Sequence, residues 1–383
     1  MQRRAILFYM IMIAIPFVFL ELSLQIFYRA TSGEFLFRRM TIPIYSADEH
    51  RYYKNQPNLS YRHRTNEYDV TYYTNSQGFR TDSSRQQISF SKSATTYRVL
   101  FLGPSFTFGW ANNYEDSYVS IIGKSITAPG KNIEVLNLGT PAQPIGYQLC
   151  WLEEMGRKFK PDMIIQTIYG NVVDFDTECQ EPSNPPFVRN GYLYASDPTL
   201  GQRLFQTAKN SAIVFYGWSI YQSLVPDEEN NIGLGLELNE QSELVPDRIN
   251  MAKVESYNKY IQFVKKAVSP DVPIVFLYVP LSYVVRPADM KRWKHRGVKD
   301  PYIFRRKAKE VETLLSKHEI TLVNPTDELV IRDQETRVYY FLDIHFTPAG
   351  NKALAEKAIP VIQELILRSD TDTSPRARHD TTM

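Results

Sequence analysis

A serine stands at a point in the sequence where its hydroxyl could act as a nucleophile. An apolar run at residues 98–102 predicts a strand, and the chain continues as Gly103-Pro104-Ser105. A serine in such a strand-to-helix loop is held at the open edge of a sheet, where its hydroxyl can face a cleft. The alternative is structural, because a serine after a strand is commonly the N-cap of the next helix. Ser105 is therefore a first candidate for chemistry.

A carboxylate and an imidazole, groups that commonly move protons, stand close together near the C-terminal end of the chain. Asp343 and His345 are two residues apart and come just before a predicted helix, in which Thr347 suits the N-cap and Pro348 the first position. Of the six histidines, this one combines a nearby aspartate with a position just before the last helix of the predicted sheet domain. The alternative is a helix-entry histidine that bonds only to backbone.

Two further loops follow apolar runs and could supply hydrogen-bond donors. The loop at residues 137–142 contains glycine and proline, which predict tight turns with free backbone N–H groups. Asn171 follows the apolar run at residues 163–168 and places an amide at the end of that predicted strand. An asparagine in this position can instead bond within its own turn.

The elements that must position these residues are short apolar runs that alternate with helical patterns. Such alternation predicts βαβ units with a parallel sheet that is covered on both faces, and ligands bind at the carboxyl ends of its strands. The predicted strands are residues 98–102, 133–138, 163–168, 274–279 and 320–323, and the predicted helices are residues 146–158, 251–267, 304–317 and 349–366.

The N-terminal residues predict a membrane anchor. Residues 5–20 carry no charge, and the apolar character continues to Tyr28, so a helix of this length would span roughly 36 Å. A cleaved signal peptide and a buried helix of a soluble protein are the alternatives. We favour a single transmembrane helix in the cytoplasmic membrane, with the remainder of the chain in the periplasm or outside the cell.

Composition limits the other possibilities. The chain has 383 residues, with 44 Lys and Arg against 42 Asp and Glu, and this near-neutral balance argues against a dedicated nucleic-acid binder. Cys150 and Cys179 are too few for a disulfide framework and could either pair or remain two unrelated thiols. The predicted division is an anchor at 1–28, an accessory segment at 29–96, a main domain at 97–368 with an insertion around 226–248, and a disordered tail at 369–383.

The sequence resembles the SGNH/GDSL hydrolase family, in its bacterial membrane-anchored branch, from about residue 97 to residue 366. Residues 102–109, Leu-Gly-Pro-Ser-Phe-Thr-Phe-Gly, match the first block of the family, whose serine is the nucleophile. Ala142 aligns with a glycine of the second block and Asn171 with the asparagine of the third. The two-residue spacing of Asp343 and His345 is similar to that in related polysaccharide O-acetyltransferases.

The resemblance implies a three-layer α/β/α sandwich of flavodoxin-like topology and a Ser-His-Asp triad without cofactor or metal. His345 would take the proton of Ser105, and Asp343 would hold the tautomer of the imidazole. The backbone N–H groups of Ser105 and Ala142, with the Asn171 side chain, would form the oxyanion hole. The implied activity is a serine esterase on acyl esters of envelope carbohydrate or lipid, or alternatively O-acetyl transfer to a polysaccharide.

A third possibility belongs to another class of protein, an anchored binding module without catalysis. Pro104, Ala142 and Val172 differ from the residues usual in the family at these places, and a fold does not by itself establish a reaction. Contact between the Ser105 hydroxyl and a His345 ring nitrogen would favour an enzyme over this module.

Overall fold

The computed structural model describes residues 2–39, 41–170, 175–196, 198–224, 249–292 and 301–372. The predicted insertion around 226–248 and most of the predicted tail therefore lie outside the described residues. The strands are β1 (Tyr45–Asp48), β2 (Tyr52–Asn55), β3 (Ser60–Arg64), β4 (Asp69–Thr74), β5 (Arg80–Thr81), β6 (Thr96–Leu102), β7 (Asn132–Asn137), β8 (Met163–Tyr169), β9 (Phe187–Arg189), β10 (Tyr192–Tyr194), β11 (Ile274–Val279) and β12 (Thr321–Val323). The helices are α1 (Gln2–Ser32), α2 (Ser105–Phe108), α3 (Tyr118–Ser125), α4 (Ile145–Trp151), α5 (Arg157–Phe159), α6 (Leu200–Asn210), α7 (Ala212–Leu224), α8 (Ile249–Ala267), α9 (Ser282–Val285), α10 (Pro301–Ser316), α11 (Thr326–Glu335) and α12 (Pro348–Asp372).

Five strands form a central parallel sheet in the order β7-β6-β8-β11-β12. Numbered by their sequence among themselves, this order is 2-1-3-4-5, which is the flavodoxin-like doubly wound arrangement. The predicted fold class is confirmed, and each predicted strand is present with ends shifted by at most two residues.

Both faces of this sheet are buried under helices, as the apolar strand sequences predict. Along β6, Leu100 and Leu102 enter one core with α8 and α10, while Val99 and Phe101 enter a second core with α3 and α12. The alternation of side chains along the strand thus supplies both cores, and the layers are helix, sheet and helix.

The predicted helix at residues 146–158 is present but is not a uniform α-helix. A π-helical segment, Leu152–Gly156, joins α4 to α5. The predicted helix at residues 349–366 begins at Pro348 and continues to Asp372, so its last turns occupy part of the predicted tail.

The accessory segment folds into short antiparallel strands that pack beside the main sheet. β1 pairs with β2, and β3, β4 and β5 form a second small sheet. Val70 and Tyr72 of this second sheet share a buried cluster with Phe108 and Trp110, which follow the predicted nucleophile closely. The accessory segment therefore contacts residues that closely follow Ser105.

Cys150 of α4 and Cys179 form a disulfide, with their Cα atoms 4.5 Å apart. This resolves the two possibilities that the sequence left open for these residues. The link ties the segment after β8 to the helix beside it.

Helix α1 is long and apolar enough to cross a membrane. Within Phe8–Ser32, a stretch of 18 residues has a mean hydropathy of 2.1, and none of that stretch is buried against the rest of the protein. Its last turns do contact the body, because Tyr28 packs with Ala212 and Phe215 at the start of α7.

Candidate active site

Ser105 is the first residue of α2, directly after the end of β6. Its side chain does not cap the helix, since the N-cap position belongs to Pro104 and carries no side-chain hydrogen bond. A Cβ atom added to Gly103 would lie 1.9 Å from the Thr107 hydroxyl, so the turn before the serine needs a glycine there. Ser105 is therefore not the N-cap of α2.

Three side chains from two distant parts of the sequence meet in one hydrogen-bonded chain. The Ser105 Oγ lies 2.6 Å from Nε2 of His345, across 240 residues of sequence. The other ring nitrogen, Nδ1, lies 2.5 Å from Oδ1 of Asp343. Asp343 is 1% exposed and His345 is 5% exposed, so water does not compete strongly for these contacts.

The second oxygen of the Asp343 carboxylate has its own donors. Oδ2 accepts from the Tyr68 hydroxyl at 3.0 Å and from the indole N–H of Trp110 at 3.2 Å. Burial alone would raise the pKa of Asp343, but the charge and hydrogen bonds of His345, with the charge of Arg39, hold this pKa below its ordinary value. The carboxylate therefore remains ionised and keeps the proton of the imidazole on Nδ1.

The position of the proton on His345 decides which atom donates in its hydrogen bond with Ser105. When the imidazole of His345 is neutral, Asp343 holds its proton on Nδ1, so Nε2 has a free lone pair and accepts the hydrogen bond from the Ser105 hydroxyl. The imidazole is therefore prepared to act as a base towards the serine.

The loop that carries Asp343 is held by a residue of the accessory segment. The Glu67 carboxylate accepts hydrogen bonds from the backbone N–H groups of Phe341, Leu342 and Asp343 at 2.6 to 2.9 Å. Burial raises the pKa of Glu67, although the Leu342 N–H opposes the shift. On the other side, the Arg39 guanidinium donates to the carbonyl of Leu342 at 2.7 Å.

Aromatic rings fix the plane of the His345 imidazole. The ring centroid of Phe106 lies 4.8 Å from that of the imidazole, and the centroid of Trp110 lies 5.7 Å away. The imidazole is thus confined by packing on its faces and by hydrogen bonds at its two nitrogens.

A second histidine lies behind Trp110 and has a structural setting. Nε2 of His63 donates to the carbonyl of Arg39 at 2.7 Å, and Nδ1 accepts from the hydroxyl of Tyr72 at 3.0 Å. That hydroxyl accepts in turn from the backbone N–H of Ala111. Burial lowers the pKa of His63 to about 4, so this imidazole is neutral at ordinary pH and joins two parts of the backbone.

The predicted second loop lies against α2. Asn137 donates from its amide to the carbonyl of Thr107 at 2.8 Å, and the N–H of Thr140 donates to the carbonyl of Gly103. A Cβ atom on Gly139 would lie 2.2 Å from the backbone nitrogen of Phe108, so only glycine allows this approach. The loop is fixed beside the serine by backbone contacts.

Ala142 lies at the end of this loop in a left-handed conformation, with φ of 59°. Its carbonyl accepts a hydrogen bond from the Tyr53 hydroxyl at 2.6 Å. Within the described residues, the N–H groups of Ser105 and Ala142 donate no hydrogen bond, so both remain available to a ligand. Asn171, the third predicted donor, lies outside the described residues.

The residues that support the carboxylate could not be identified from the sequence. Tyr68 and Trp110 are 275 and 233 residues from Asp343, and Glu67 is equally distant from the loop that it holds. The only available signal was the high tyrosine content of the accessory segment, which does not indicate a partner.

Among the described residues, no group of three or more His, Cys, Asp or Glu side chains is placed to hold a metal ion. The groups that do meet are a hydroxyl, an imidazole and a carboxylate. Together they can remove the proton of the hydroxyl and make its oxygen a nucleophile.

The chain matches no family model and no curated protein. Among solved structures it is similar to a lipolytic protein of the G-D-S-L family from Veillonella parvula, with 11% identity, a TM-score of 0.35 and coverage of 69% of this chain and 97% of that one. It is also similar to a lipase/acylhydrolase from Enterococcus faecalis, with 12% identity, a TM-score of 0.36 and coverage of 70% and 96%. A third similar structure is a catalytic mutant of an acetylxylan esterase from Geobacillus stearothermophilus, with 13% identity, a TM-score of 0.36 and coverage of 71% and 96%.

Proposed function

We propose that the protein is a serine esterase of the SGNH/GDSL type and that Ser105, His345 and Asp343 are its catalytic triad. The observation that carries this proposal is the continuous hydrogen-bonded chain from the Ser105 hydroxyl through both nitrogens of His345 to the buried Asp343 carboxylate. A binding module without catalysis would have no need for a buried, ionised carboxylate aligned with a serine.

In the proposed reaction, Ser105 Oγ attacks the carbonyl carbon of an ester while its proton passes to Nε2 of His345. The resulting positive charge on the imidazole is stabilised by Asp343. His345 then gives the proton to the leaving alkoxide, and an acyl group remains on Ser105. Water attacks this acyl group with His345 again as the base, and the free acid is released.

The negative oxygen of the tetrahedral intermediate needs donors near the serine. The N–H groups of Ser105 and Ala142 are the donors that we assign, and Asn171 is the third by its place after β8. The left-handed conformation of Ala142 and the close packing of its loop on α2 support this assignment. Loss of one such donor typically costs about 10²- to 10³-fold in rate.

The substrate that we propose is an acyl ester of envelope carbohydrate or lipid, met outside the cytoplasm. Helix α1 is long and apolar enough to hold the chain in a membrane. The Cys150–Cys179 disulfide supports an oxidising compartment, because structural disulfides persist mainly in exported proteins. O-acetyl transfer to a polysaccharide uses the same triad, with a sugar hydroxyl in the place of water.

The decisive experiment is covalent labelling of the full chain in detergent with a fluorophosphonate, followed by peptide mapping. We expect label on Ser105, no label on Ser105→Ala, and unchanged labelling of Ser91→Ala, which alters an exposed serine of the accessory segment. Absence of label from the folded wild-type chain would support the binding module.

A product assay separates hydrolysis from transfer. A soluble acetyl ester is supplied with and without added glycan, and free acetate and acetylated glycan are both measured. Acetate in equal amount under both conditions supports the esterase. Acetylated glycan formed at the expense of acetate would instead assign the transferase.

A further inference from the structure

The length of α1 places Glu21 near the outer edge of the membrane. Residues 5–20 are the uncharged stretch, and at 1.5 Å per residue they cover only about 24 Å. The hydrocarbon core is about 30 Å thick and needs about 20 residues, so the span must continue past Glu21 to about Leu24. If α1 crosses the bilayer, as proposed above, the Glu21 carboxylate lies where lipid replaces water.

Glu21 obtains its partners from the start of α7. Its carboxylate accepts from the backbone N–H of Ala212 at 2.7 Å and from that of Ile213 at 3.0 Å. The Ser211 hydroxyl donates to it at 2.8 Å. A carboxylate at a helix N-terminus is stabilised by the free N–H groups and by the helix dipole. The first turn of α7 is therefore at the same depth as Glu21.

Apolar packing continues this contact along both helices. The Tyr28 and Phe215 rings meet edge to face with centroids 5.6 Å apart, and the Phe27 and Tyr216 rings lie 6.0 Å apart. Gln25 of α1 is also bonded to the carbonyl at the end of α6. The pair α6 and α7 is thus fixed to the part of α1 that leaves the hydrocarbon core.

The outer side of α7 is apolar and exposed. Val214 is 48% exposed, Trp218 is 45% exposed and Ile220 is 56% exposed, and the sequence of α7 contains no charged residue. Helix α6 likewise exposes Leu200 at 73% and Leu204 at 62%. A helix that faces water normally carries polar side chains there, whereas tryptophan and tyrosine are enriched at membrane interfaces.

We infer that α6 and α7 lie in the outer surface of the same bilayer that α1 crosses, with the exposed apolar side of α7 buried among the lipids. Two independent observations agree on this occupant. The depth of the first turn of α7 follows from the Glu21 contacts. The apolar character of its outer side follows from its sequence and from the exposure of its side chains. The surface is continuous with the exposed apolar side chains of α1.

The catalytic loop is linked to this membrane element through one residue. The Arg39 guanidinium lies 5.3 Å from the centroid of the Phe215 ring of α7, and the same group donates to the carbonyl of Leu342. Leu342 immediately precedes Asp343. The position of the site above the bilayer is therefore set by α7 as well as by α1.

The experiment measures the depth of Trp218 in the full chain reconstituted into phosphatidylcholine vesicles. A Trp293→Phe background is used, in which Trp110 and Trp151 are 5% and 4% exposed and contribute a constant emission. Lipids brominated near the headgroup or near the ends of the tails quench a tryptophan at the corresponding depth, and iodide quenches one in water. The further variant Trp218→Phe gives the blank.

We expect Trp218 emission to be lost with bromine near the headgroup, to be affected less by bromine near the tail ends, and to be insensitive to iodide. Quenching by iodide alone would overturn the inference, because the side chain would then lie in water. The inference would also be overturned if Trp218 resisted both the brominated lipids and iodide, and if this resistance were lost when the chain is diluted with more lipid. Trp218 would then be covered by a second copy of the chain.

Two variants built on the blank separate this inference from the anchor on which it rests. Phe17→Trp in α1 should be quenched most by bromine near the tail ends, since Phe17 lies in the middle part of the span and is 60% exposed. Phe90→Trp, on an exposed side chain of the body, should respond to iodide only. If Phe17→Trp is not quenched by bromine near the tail ends, both the membrane anchor and the inference are wrong. If Phe17→Trp behaves as expected and only Trp218 escapes quenching by the brominated lipids, the inference is wrong and the anchor stands.

Discussion

The two loops that meet at the site are held in different ways. The loop of Ser105 is fixed within the main sheet, by β6 before it and by the loop after β7, which packs against its backbone. The loop of Asp343 and His345 is fixed largely by the accessory segment, through Glu67 and Tyr68. One half of the proposed triad therefore belongs to the doubly wound fold, and the other half depends on a separate piece of chain.

The accessory segment therefore takes part in building the site. Its small sheet of β3, β4 and β5 does more than separate the sheet domain from the anchor, because Tyr68, in the turn between β3 and β4, donates to the buried carboxylate. We expect changes in the accessory segment to affect catalysis through the orientation of His345, while changes near Ser105 affect the nucleophile and the oxyanion donors.

The largest effect is expected from Asp343→Asn. The amide cannot keep the proton on Nδ1 of His345, so Nε2 no longer accepts from Ser105, and kcat should fall about 10⁴-fold. The measurement is kcat on a soluble acetyl ester, with circular dichroism to show that the fold is retained. A loss below tenfold would mean that the carboxylate does not orient the base.

On the nucleophile side, Gly139→Ala tests the packing of the second loop on α2. The new Cβ would lie 2.2 Å from the Phe108 nitrogen, so the backbone must move, and a displacement near 1 Å can cost about 10²-fold in kcat/KM. Gly201→Ala is the matched control, because its nearest neighbour would be 4.0 Å away. Equal kinetics for both variants would contradict the proposed tight contact.

A smaller effect is expected from Tyr68→Phe, which removes one donor to Asp343. A hydrogen bond to a charged group contributes about 1.5 to 3 kcal/mol, so we expect kcat to fall by about 10- to 10²-fold. Because Tyr68 acts through Asp343, KM should stay unchanged. Tyr61→Phe, in the neighbouring strand, is the control with no expected change. A rise in KM with constant kcat would place Tyr68 in substrate binding instead.

Replacement of His63 is expected to have the smallest effect on activity at neutral pH. Its effect should appear instead in the pH dependence of the free energy of unfolding. The folded-state pKa of His63, about 4, is below the ordinary 6.5, so the unfolded chain binds a proton first as the pH falls. Above pH 6.5 the neutral His63 contributes about 3 kcal/mol to the free energy of unfolding. This contribution is lost as the pH falls from 6.5 to about 4. Denaturant unfolding should therefore show a steeper pH dependence for the wild type than for His63→Gln; equal slopes would contradict it.

Sequence alone was sufficient for the sheet and for the residues that the structure brings into one hydrogen-bonded chain. The strand runs are strongly apolar because both faces are buried, and this signal is local. Ser105 was found because it follows an apolar run, and Asp343 and His345 were found because they stand close together just before a helix. Their catalytic roles remain a prediction that the labelling experiment tests.

The sequence could not predict the support of the carboxylate. Tyr68 reaches Asp343 only through the packing of the accessory segment on the main domain, and Trp110 reaches it only through the folding of the main domain itself. No local periodicity encodes either contact. The same holds for Glu21, which in sequence is a charge that interrupts an apolar run. Its partners at the start of α7 become visible only in the fold.

The disulfide has a practical consequence for anyone who prepares this protein. Cys150 and Cys179 close a stretch of 29 residues, which in the chain-entropy account stabilises by about 3 to 4 kcal/mol. That stretch contains β8 and the predicted donor Asn171. Material produced in a reducing host cytosol would lack the closure, so secretion into an oxidising compartment should give the higher yield of correctly assembled chains.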